Sequence, residues 1–549
     1  MDSSNIDQQF SRLDLAFSSF LAKRTLFDAK QKASFESLLA RLSFQQSQGH
    51  SCIKLDESEK QLVIDSKLAT ELQPTPLKLE QDRLYLYRYW FYESRLAEQI
   101  NRFVLASSQP KENISLVNRY FIELIDETDW QREAAIKAMN QSFTIITGGP
   151  GTGKTATVVK ILALLQELAV KDLYPLHIAL AAPTGKAAMR LQESIGLSKK
   201  SLPCSEKIKR TIPETVTTLH RLLGAKPPSP YFKHDSRHPL VYDLVVIDEA
   251  SMVDLALMSK LADALKPGSK LVLLGDKDQL ASVESGAVLA DLTAALPLHS
   301  IELKKSYRFQ GDIKELATAV NSQAVDEAWR LLTEKGAGQV ALLNEDLIDF
   351  IAGRYASYLQ KINDNAKFKD VITEFSQFQV LCSNRQGEQG AVDINQQVEA
   401  KLHQQNAIHI SGKWYIGRPI MVTQNNAGLQ LYNGDIGLCL FDKEAERLAV
   451  FFLRADGSIK KVLPSRVPQH ETVFAMTIHK SQGSEFDECL CVLPPAINPV
   501  LTKELVYTAI TRAKTKLKIA CSYAVFSQTL QQRVERTSGL SEKLSELNS

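Results

Sequence analysis

Short apolar runs alternate with helical patterns of apolar and polar positions along most of the chain. From Phe143 onward the apolar runs are FTIIT, HIALAA, LVVID, KLVLLG, FQVLCS and KLKIACS. Buried strands of a parallel sheet give continuous apolar runs, and helices usually connect them. The pattern therefore predicts α/β architecture with parallel sheets, and 549 residues accommodate two such sheets.

Two other stretches show different patterns of apolar and polar residues. Residues 1–110 show helical periodicity, as in FDAKQKASFESLLARLSF, and predict a mainly helical N-terminal domain. Residues 405–470 contain short strand-like pieces with glycine-rich turns, as in LYNGDIGLCLF, and predict a small β-barrel inserted within the second α/β domain. The polar stretch from about Glu535 onward is expected to fray.

An aromatic run, LYLYRYWFY, occupies residues 84–92. Aromatic side chains can stack on bases, or they can belong to a strand and helix that pack a small core or a partner surface. The second interpretation is favoured over base stacking. The run offers more large apolar side chains than so short a segment can bury alone, so we expect another surface to cover them.

Composition narrows the class of protein. Hydrophobic residues make up 44% and charged residues 23% of the chain, and no apolar run is long enough to span a bilayer. The first residues, MDSSNIDQQF, lack the basic and apolar regions of a signal peptide, so a soluble, cytoplasmic protein is expected. A net charge of +2 neither requires nor excludes nucleic acid. The seven scattered cysteines are expected to be reduced core thiols, and no carboxylate cluster indicates a nuclease centre.

A phosphate-binding loop is the strongest chemical signal in the chain. Residues 148–155 read GGPGTGKT, follow the apolar strand TIIT and precede a helical segment. In such a loop the backbone amides curl around phosphate oxygens, Lys154 reaches the β and γ phosphates, and Thr155 offers a hydroxyl to Mg²⁺. The predicted site for ATP and Mg²⁺ consists of Gly148, Gly149, Pro150, Gly151, Thr152, Gly153, Lys154 and Thr155.

Acidic and amide residues follow two later apolar runs. Asp248 and Glu249 end the run LVVID, where one carboxylate can hold Mg²⁺ and the other can orient or deprotonate the attacking water. Gln279 follows KLVLLG and is placed to report whether the γ-phosphate is present. Hydrolysis also requires positive charge at the transition state, for which Arg308 in LKKSYRF and Arg512 in VYTAITRAK are the candidates.

Eight motifs occur in a fixed order along the chain. The series GGPGTGKT, APTGKAA, TTLHRLLG, DEAS, GDKDQL, SYRF, TIHKSQGSEFD and VYTAITRAK resembles motifs I, Ia, Ib, II, III, IV, V and VI of superfamily 1 helicases. Within that superfamily, WQREAAIKA, TTLHRLLG, YNGDIG and TKELVYTAITRAK are similar to the RecD family, the alpha subunits of bacterial RecBCD exonuclease V. The length also resembles the short form of the family that works inside RecBCD.

The resemblance implies a role for each motif residue. It implies that Gln131 reads adenine and that Glu485 contacts the ribose side, while the phosphate, magnesium, water and transition-state roles fall to the residues already named. Contacts to single-stranded DNA are implied for Pro183, Thr184, Lys186, Thr218, His220, Thr477, His479 and Ser481. The alternative for each is a hydrogen bond that only orders its loop. The basic stretch of residues 198–215 matches no motif and is either a mobile loop near DNA or a solvated connector.

The resemblance also implies the architecture. It implies two RecA-like P-loop motor domains, residues 111–310 with the ATP site and residues 311–549. It further implies a partner-docking domain at residues 1–110 and an SH3-like barrel at residues 405–470, inserted in the second motor domain.

The function implied by the resemblance is that of an ATP-dependent 5′ to 3′ single-stranded DNA translocase and DNA helicase. Such a chain is the motor subunit of a RecBCD-type complex that processes double-strand breaks for homologous recombination and degrades linear DNA. The implied partners are single-stranded DNA, duplex ends, and RecB-like and RecC-like subunits in a heterotrimer, with the nuclease site in another subunit. An ATP-gated nucleic-acid clamp without net unwinding and an RNA helicase remain the alternatives.

Overall fold

The computed structural model describes most of the chain. The described residues are 10–69, 75–106, 113–121, 128–171, 174–282, 284–305, 311–334, 338–426, 428–454 and 457–548.

The N-terminal region, residues 10–86, is mainly helical, as its periodicity predicts, and contains a small sheet in addition. Its elements are α1 (Arg12–Ala22), α2 (Ala29–Ser47), β1 (Cys52–Lys54), α3 (Glu57–Asp65), β2 (Leu77–Glu80) and β3 (Arg83–Leu86). The strands pair antiparallel in the order β1-β3-β2. Ser11, Asp28 and Asp56 accept hydrogen bonds from the first turns of the three helices, which fixes where each helix begins.

The first α/β unit follows, and its sheet contains the strands that the apolar runs predict. Its elements are α4 (Tyr87–Leu105), α5 (Ile114–Tyr120), α6 (Trp130–Asn140), β4 (Phe143–Thr147), α7 (Lys154–Lys171), β5 (Ile178–Ala182), α8 (Gly185–Lys200), α9 (Glu206–Thr211), β6 (Thr217–Thr218), α10 (Leu219–Leu223), β7 (Leu244–Ile247), α11 (Leu255–Ala264), β8 (Lys270–Gly275), α12 (Val288–Ala295) and β9 (Ser300–Glu302). The six strands are parallel, in the order β6-β5-β7-β8-β4-β9.

The aromatic run is divided between two elements and two environments. Tyr85 in β3 is fully buried, whereas Tyr87 and Phe91 at the start of α4 are 37% and 46% exposed. Further along α4, Leu96 and Ile100 are fully buried in the same apolar core as β4, β7 and α11. The first unit itself therefore covers one face of α4, and cover of the exposed Tyr87 and Phe91 by another surface stays a prediction.

The second α/β unit is built around another parallel sheet, which confirms the predicted architecture. Its elements before the insertion are α13 (Asp312–Asn321), α14 (Val325–Glu334), β10 (Val340–Leu342), α15 (Leu347–Asn363), α16 (Phe368–Gln377), β11 (Phe378–Cys382) and α17 (Ala391–Gln404). The inserted sheet consists of β12 (Pro419–Val422), β13 (Ile436–Asp442), β14 (Arg447–Leu453), β15 (Ile459–Val462) and β16 (His470–Thr472). The chain then returns through β17 (Ala475–Thr477), β18 (Phe486–Val492), α18 (Lys503–Ile510), β19 (Ala513–Ala520) and α19 (Tyr523–Gln531).

The two sheets of this unit differ in the direction of their strands. The main sheet is parallel, in the order β10-β19-β18-β11-β17. The inserted sheet is antiparallel, in the order β15-β14-β13-β12-β16. The inserted sheet has its own apolar cluster, which includes Ile420, Val450 and Phe452.

The last described residues fold back onto the first unit. Helix α20 (Leu540–Asn548) contacts α4 and α12, and Leu540 and Leu544 are each 1% exposed in the core of the first unit. The expectation that this stretch frays is wrong, because the two leucines lie one helical turn apart and are buried together.

All seven cysteines are free thiols. Cys489 and Cys491 lie in β18 and are buried, so they are core residues. Among the described residues, no helix is long and apolar enough to cross a membrane.

Candidate nucleotide site between the two α/β units

Three neighbouring strands of the first unit end at the same edge of the sheet. β8 lies between β7 and β4, and all three strands run parallel. The residues that directly follow them are Gly148, Asp248 and Asp276. Ligands of parallel α/β sheets bind beyond the carboxyl ends of the strands, so this edge collects the predicted phosphate loop and two carboxylates.

The phosphate loop has the backbone geometry that its glycines permit. Gly151 and Gly153 have φ angles of 78° and 82°, in the left-handed region that side chains disfavour. Helix α7 begins at Lys154, whose Nζ donates to the carbonyl oxygens of Gly148 at 2.5 Å and Gly149 at 3.0 Å. The loop therefore places a lysine ammonium and a helix N-terminus together, and both attract phosphate.

The two acidic residues after β7 interact closely, and the backbone of the second is strained. Burial and, to a smaller extent, the neighbouring Glu249 charge raise the pKa of Asp248 to about 7, against the opposing charge of Lys154. Asp248 Oδ1 accepts from the Glu249 amide at 2.9 Å, and Glu249 has a φ of 51°, which is uncommon outside glycine. Such backbone strain is concentrated at functional sites.

Asp276 is a member of the site that the sequence interpretation missed. Burial raises its pKa to about 6, and its Oδ2 accepts from Gln279 Nε2 at 2.9 Å and from the Tyr507 hydroxyl at 3.2 Å. The signal was available in the motif GDKDQL, because Asp276 follows β8 just as Asp248 follows β7.

Oxygen donors suited to Mg²⁺ line this edge. Asp248, Asp276 and the Thr155 hydroxyl are hard oxygen ligands, and Lys154 is a cation that a bound phosphate would share with the metal. Mg²⁺ typically takes one or two carboxylates together with substrate phosphates and water. The donor set therefore fits a magnesium nucleotide.

Arg512 reaches the site from the second unit and is only 3% exposed. Its Nη2 donates to Gln279 Oε1 at 2.9 Å, across the cleft between the units. Its Nη1 donates to the Ser484 carbonyl at 3.1 Å and its Nε to the Thr508 carbonyl at 3.1 Å. Bonds within the second unit therefore fix the guanidinium, and one further bond holds it against Gln279, the residue predicted to report the γ-phosphate.

Further hydrogen bonds join the Gln279 loop to the second unit. The amide of Leu280 donates to Thr508 Oγ1 at 2.9 Å, and its carbonyl accepts from Gln482 Nε2 at 2.9 Å. A change in the separation of the two units must break these bonds or move the loop. The loop after β8 is therefore mechanically linked to both units.

A cavity of about 510 Å³ lies at this junction. Its lining residues are Pro150, Gly151, Gly153, Lys154, Thr155, Ala156, Ser194, Asp248, Glu249, Asp276, Gln279, Glu485 and Arg512. It thus brings together most of the predicted nucleotide residues, including Glu485, whose Oε1 lies 3.8 Å from Arg190 Nη1 of α8. Gln131 contacts the loop itself, through Nε2 and the Thr152 carbonyl at 3.4 Å. Arg308 lies outside the described residues.

Four of the predicted DNA contacts are hydroxyl residues engaged in local hydrogen bonds. Thr184 and Thr218 cap α8 and α10 by accepting from backbone amides. Thr477 Oγ1 accepts from the Lys480 amide at 3.4 Å, and Ser481, which is fully buried, donates to the Ile478 carbonyl at 2.7 Å. These bonds order the loops, and DNA contact by the same residues stays a prediction.

The other four predicted DNA contacts differ in their accessibility. His220 is exposed and lies edge-on to Phe232, whereas Pro183, Lys186 and His479 are half-buried. Burial and the charge of Arg190 lower the pKa of Lys186 to about 8, and Asp435 of the inserted sheet opposes that shift.

The basic stretch of residues 198–215 contains helix α9. Lys199 Nζ donates to the Ile212 carbonyl at 3.0 Å and to Glu214 at 2.7 Å, and Lys209 pairs with Glu206 at 2.9 Å. These contacts fit a connector better than a mobile loop.

Comparison with known protein families places the chain in a class. The model of the AAA domain matches residues 131–285, and that of the UvrD-like helicase C-terminal domain matches residues 472–520. With two parallel sheets and a phosphate loop at their junction, the chain is an α/β protein of the helicase type. A third model, the N-terminal domain of RecBCD enzyme subunit RecD, matches residues 7–73.

Curated relatives define the family more closely. RecBCD enzyme subunit RecD of Mycolicibacterium smegmatis is 40% identical over 478 residues, covering 86% of this chain and 84% of the relative. The subunit of the same name from Haemophilus influenzae is 36% identical over 544 residues, covering 87% and 82%. The ATP-dependent RecD2 DNA helicase of Deinococcus radiodurans is 32% identical over 408 residues, covering 73% and 50%. The chain belongs to the RecD family, which confirms the resemblance of its motifs.

Solved structures of Pif1 helicases resemble the chain more distantly. That of Bacteroides Pif1 in complex with ADP-AlF3 and ssDNA is 16% identical with a TM-score of 0.40, covering 74% of this chain and 94% of that one.

Proposed function

We propose that this RecD-family chain is an ATP-dependent DNA helicase and the motor subunit of a RecBCD-type complex. The observation that carries the proposal is the Arg512 to Gln279 hydrogen bond of 2.9 Å across the cleft, beside the phosphate loop. An arginine supplied by one unit to the nucleotide of another makes hydrolysis depend on closure of the cleft. ATP turnover is thereby coupled to relative movement of the two units.

Each group of the site has a role in this proposal. Lys154 binds the β and γ phosphates, Thr155 and Asp248 hold Mg²⁺, and Glu249 orients the attacking water. Gln279 senses the γ-phosphate and Arg512 stabilises the transition state, together with Arg308. Gln131 reads adenine and Glu485 contacts the ribose side, as the family resemblance implies.

The architecture is assigned in the same proposal. The chain contains two RecA-like motor domains, residues 111–310 and residues 311–549. Residues 405–470 form an SH3-like barrel, and the five-stranded antiparallel sheet of β12, β13, β14, β15 and β16 supports this assignment. Residues 1–110 form the partner-docking domain, although α4 within it also braces the first motor domain. DNA lies along the loops after β5, β6 and β17, which carry the predicted contacts.

Partners and direction of movement are assigned by family. The relatives are named as subunits of the RecBCD enzyme, so we assign RecB-like and RecC-like partners, with the nuclease in another subunit. Movement is 5′ to 3′ on single-stranded DNA, and the complex processes double-strand breaks for recombination and degrades linear DNA.

Strand displacement on tailed duplexes tests this function. The full chain, purified with any partners that accompany it, should unwind a duplex with a 5′ single-stranded tail and not one with a 3′ tail, with ATP and Mg²⁺ present. Equal activity on both tails would reject the polarity. ATP turnover without displacement would show a clamp, and stimulation of the ATPase by RNA more than by DNA would show an RNA helicase.

A further inference from the structure

Residues 532–548, the strap, cross from the second unit to the first. The strap begins on the second unit, where the Val534 amide donates to Glu504 Oε2 at 3.1 Å and Arg533 Nε donates to Gln323 Oε1 at 2.7 Å. Two residues after Val534, Arg536 is bound to the first unit. A single residue, Glu535, therefore lies between Val534, which is bound to the second unit, and Arg536, which is bound to the first.

Arg536 binds the loop that follows the Gln279 segment. Its Nη2 donates to the Ser282 carbonyl at 2.6 Å, and its Nη1 donates to the carbonyls of Glu284 at 3.1 Å and Gly286 at 2.9 Å. Three carbonyls on one guanidinium fix the path of this loop. Since Ser282 is only three residues from Gln279, the strap limits where Gln279 can lie.

The guanidinium is enclosed by the N-terminal region on its other side. A Cβ added to Gly49 would lie 2.7 Å from Arg536 Cζ, so any larger residue there would have to displace the guanidinium. The Gly286 amide also donates to the Gly49 carbonyl at 2.9 Å. The loop, the arginine and the N-terminal region therefore form one packed junction.

The rest of the strap is firmly anchored, so Arg536 does not depend on its own contacts for placement. The Thr537 amide donates to His50 Nδ1 at 2.9 Å, and the Gly539 amide donates to the fully buried carboxylate of Glu93. Leu540 and Leu544 then fill the core of the first unit.

We propose that Arg536 is a positioning residue for ATP hydrolysis, which holds the loop that follows Gln279 so that Gln279 stays within hydrogen-bond distance of Arg512. Arg536 touches neither nucleotide nor DNA in this role. It acts through the carbonyls of Ser282, Glu284 and Gly286, and the loop is held from the opposite side by Thr508 and Gln482. This inference rests on the proposed function, because it assigns a further residue to the same ATP site.

The test compares Arg536→Gln with Arg533→Gln, an arginine of the same strap that bonds within the second unit only. For each full-length variant, nucleotide binding is titrated with a fluorescent ATP analogue, and DNA-stimulated ATP turnover is expressed per nucleotide-binding site. We expect Arg536→Gln to lower kcat about tenfold, as for loss of hydrogen bonds from a charged donor. Nucleotide Kd should change less than about twofold, and Arg533→Gln should match the parent.

Gly49→Ala provides a second route to the same loop, because its Cβ must displace the guanidinium; since Gly49 has a φ of 94°, alanine also strains the backbone, and the melting temperature is measured with kcat. This variant should reproduce the loss of kcat. A purely structural role would lower the melting temperature and the number of binding sites while kcat per site stays at the parent value, and that result in both variants would overturn the inference. Absence of DNA-stimulated turnover in the parent itself would instead reject the proposed function.

Discussion

Removing both partners of the Arg512 to Gln279 hydrogen bond measures how strongly the two units are coupled. Arg512→Ala removes the guanidinium, Gln279→Ala removes its acceptor, and the double variant removes both. Arg512 is 3% exposed and the bond measures 2.9 Å, so the interaction is shielded from water. Arg447→Ala, an exposed arginine of the inserted sheet, is the control for loss of a positive charge.

The expected magnitudes follow from the contacts. Loss of an arginine that stabilises phosphoryl transfer slows hydrolysis by roughly 10³, which corresponds to about 4 kcal/mol in activation free energy. A hydrogen bond from a charged donor contributes about 1.5–3 kcal/mol. The activation penalty of the double variant should therefore be smaller than the sum of the single penalties by about that amount.

Single-turnover hydrolysis of pre-bound ATP gives the activation free energies, and equilibrium titration gives nucleotide affinity separately. Affinity should change by less than about threefold in all variants, because the bond acts in the transition state. Additivity of the two single penalties within about 0.5 kcal/mol would refute coupling through this bond. Weakened binding with unchanged turnover per bound nucleotide would show that Arg512 is only structural.

Three further outcomes are expected. Lys154→Gln should abolish DNA-stimulated ATP turnover with an unchanged melting temperature, since it removes charge without emptying the core; near-parent turnover would contradict the phosphate-loop assignment. Ile100→Ala should lower the free energy of unfolding by about 2–4 kcal/mol, whereas the exposed Phe91→Ala should cost less than about 0.5 kcal/mol; equal losses in denaturant titrations would contradict the bracing role of α4. Burial raises the pKa of Asp291 to about 7 from 3.8, so the folded chain keeps a proton that the unfolded chain loses, and stability should fall as pH rises through that window. Asp291→Asn should reduce that dependence in unfolding titrations at successive pH values, while the buried Asp248 and Asp276 keep their own contributions; an unchanged slope would exclude Asp291 as a contributor.

The sequence predicted the features that short stretches determine by themselves. The run FTIIT is strand β4, and Gly151 and Gly153 after it adopt positive φ angles, which glycine permits and other residues disfavour. The placement of Asp248 after β7 was predicted for the same reason, since a buried strand and its following residue are adjacent in sequence. The antiparallel insertion was also indicated locally, by glycine-rich turns between short strands.

Features that depend on distant parts of the chain could not be predicted. Helix α20 is short and its leucines are separated by polar residues, so the burial of Leu540 and Leu544 becomes visible only when α4 and α12 are in place. The aromatic run likewise gave no indication that β3 and α4 would divide it between two environments. Tyr507 and Asp276 are 231 positions apart in sequence, and their hydrogen bond depends on how the two units meet.

The position of α20 has a consequence for synthesis on the ribosome. Leu540 and Leu544 complete a core that begins with Leu96, yet they emerge only after the entire second unit has been translated. The nascent first unit therefore exposes an apolar groove along α4 and α12 during elongation, and contacts of such long sequence separation form slowly. The core of the first unit is therefore completed only when residues 540–548 have left the ribosome. Chaperone protection of the groove should matter most before that point.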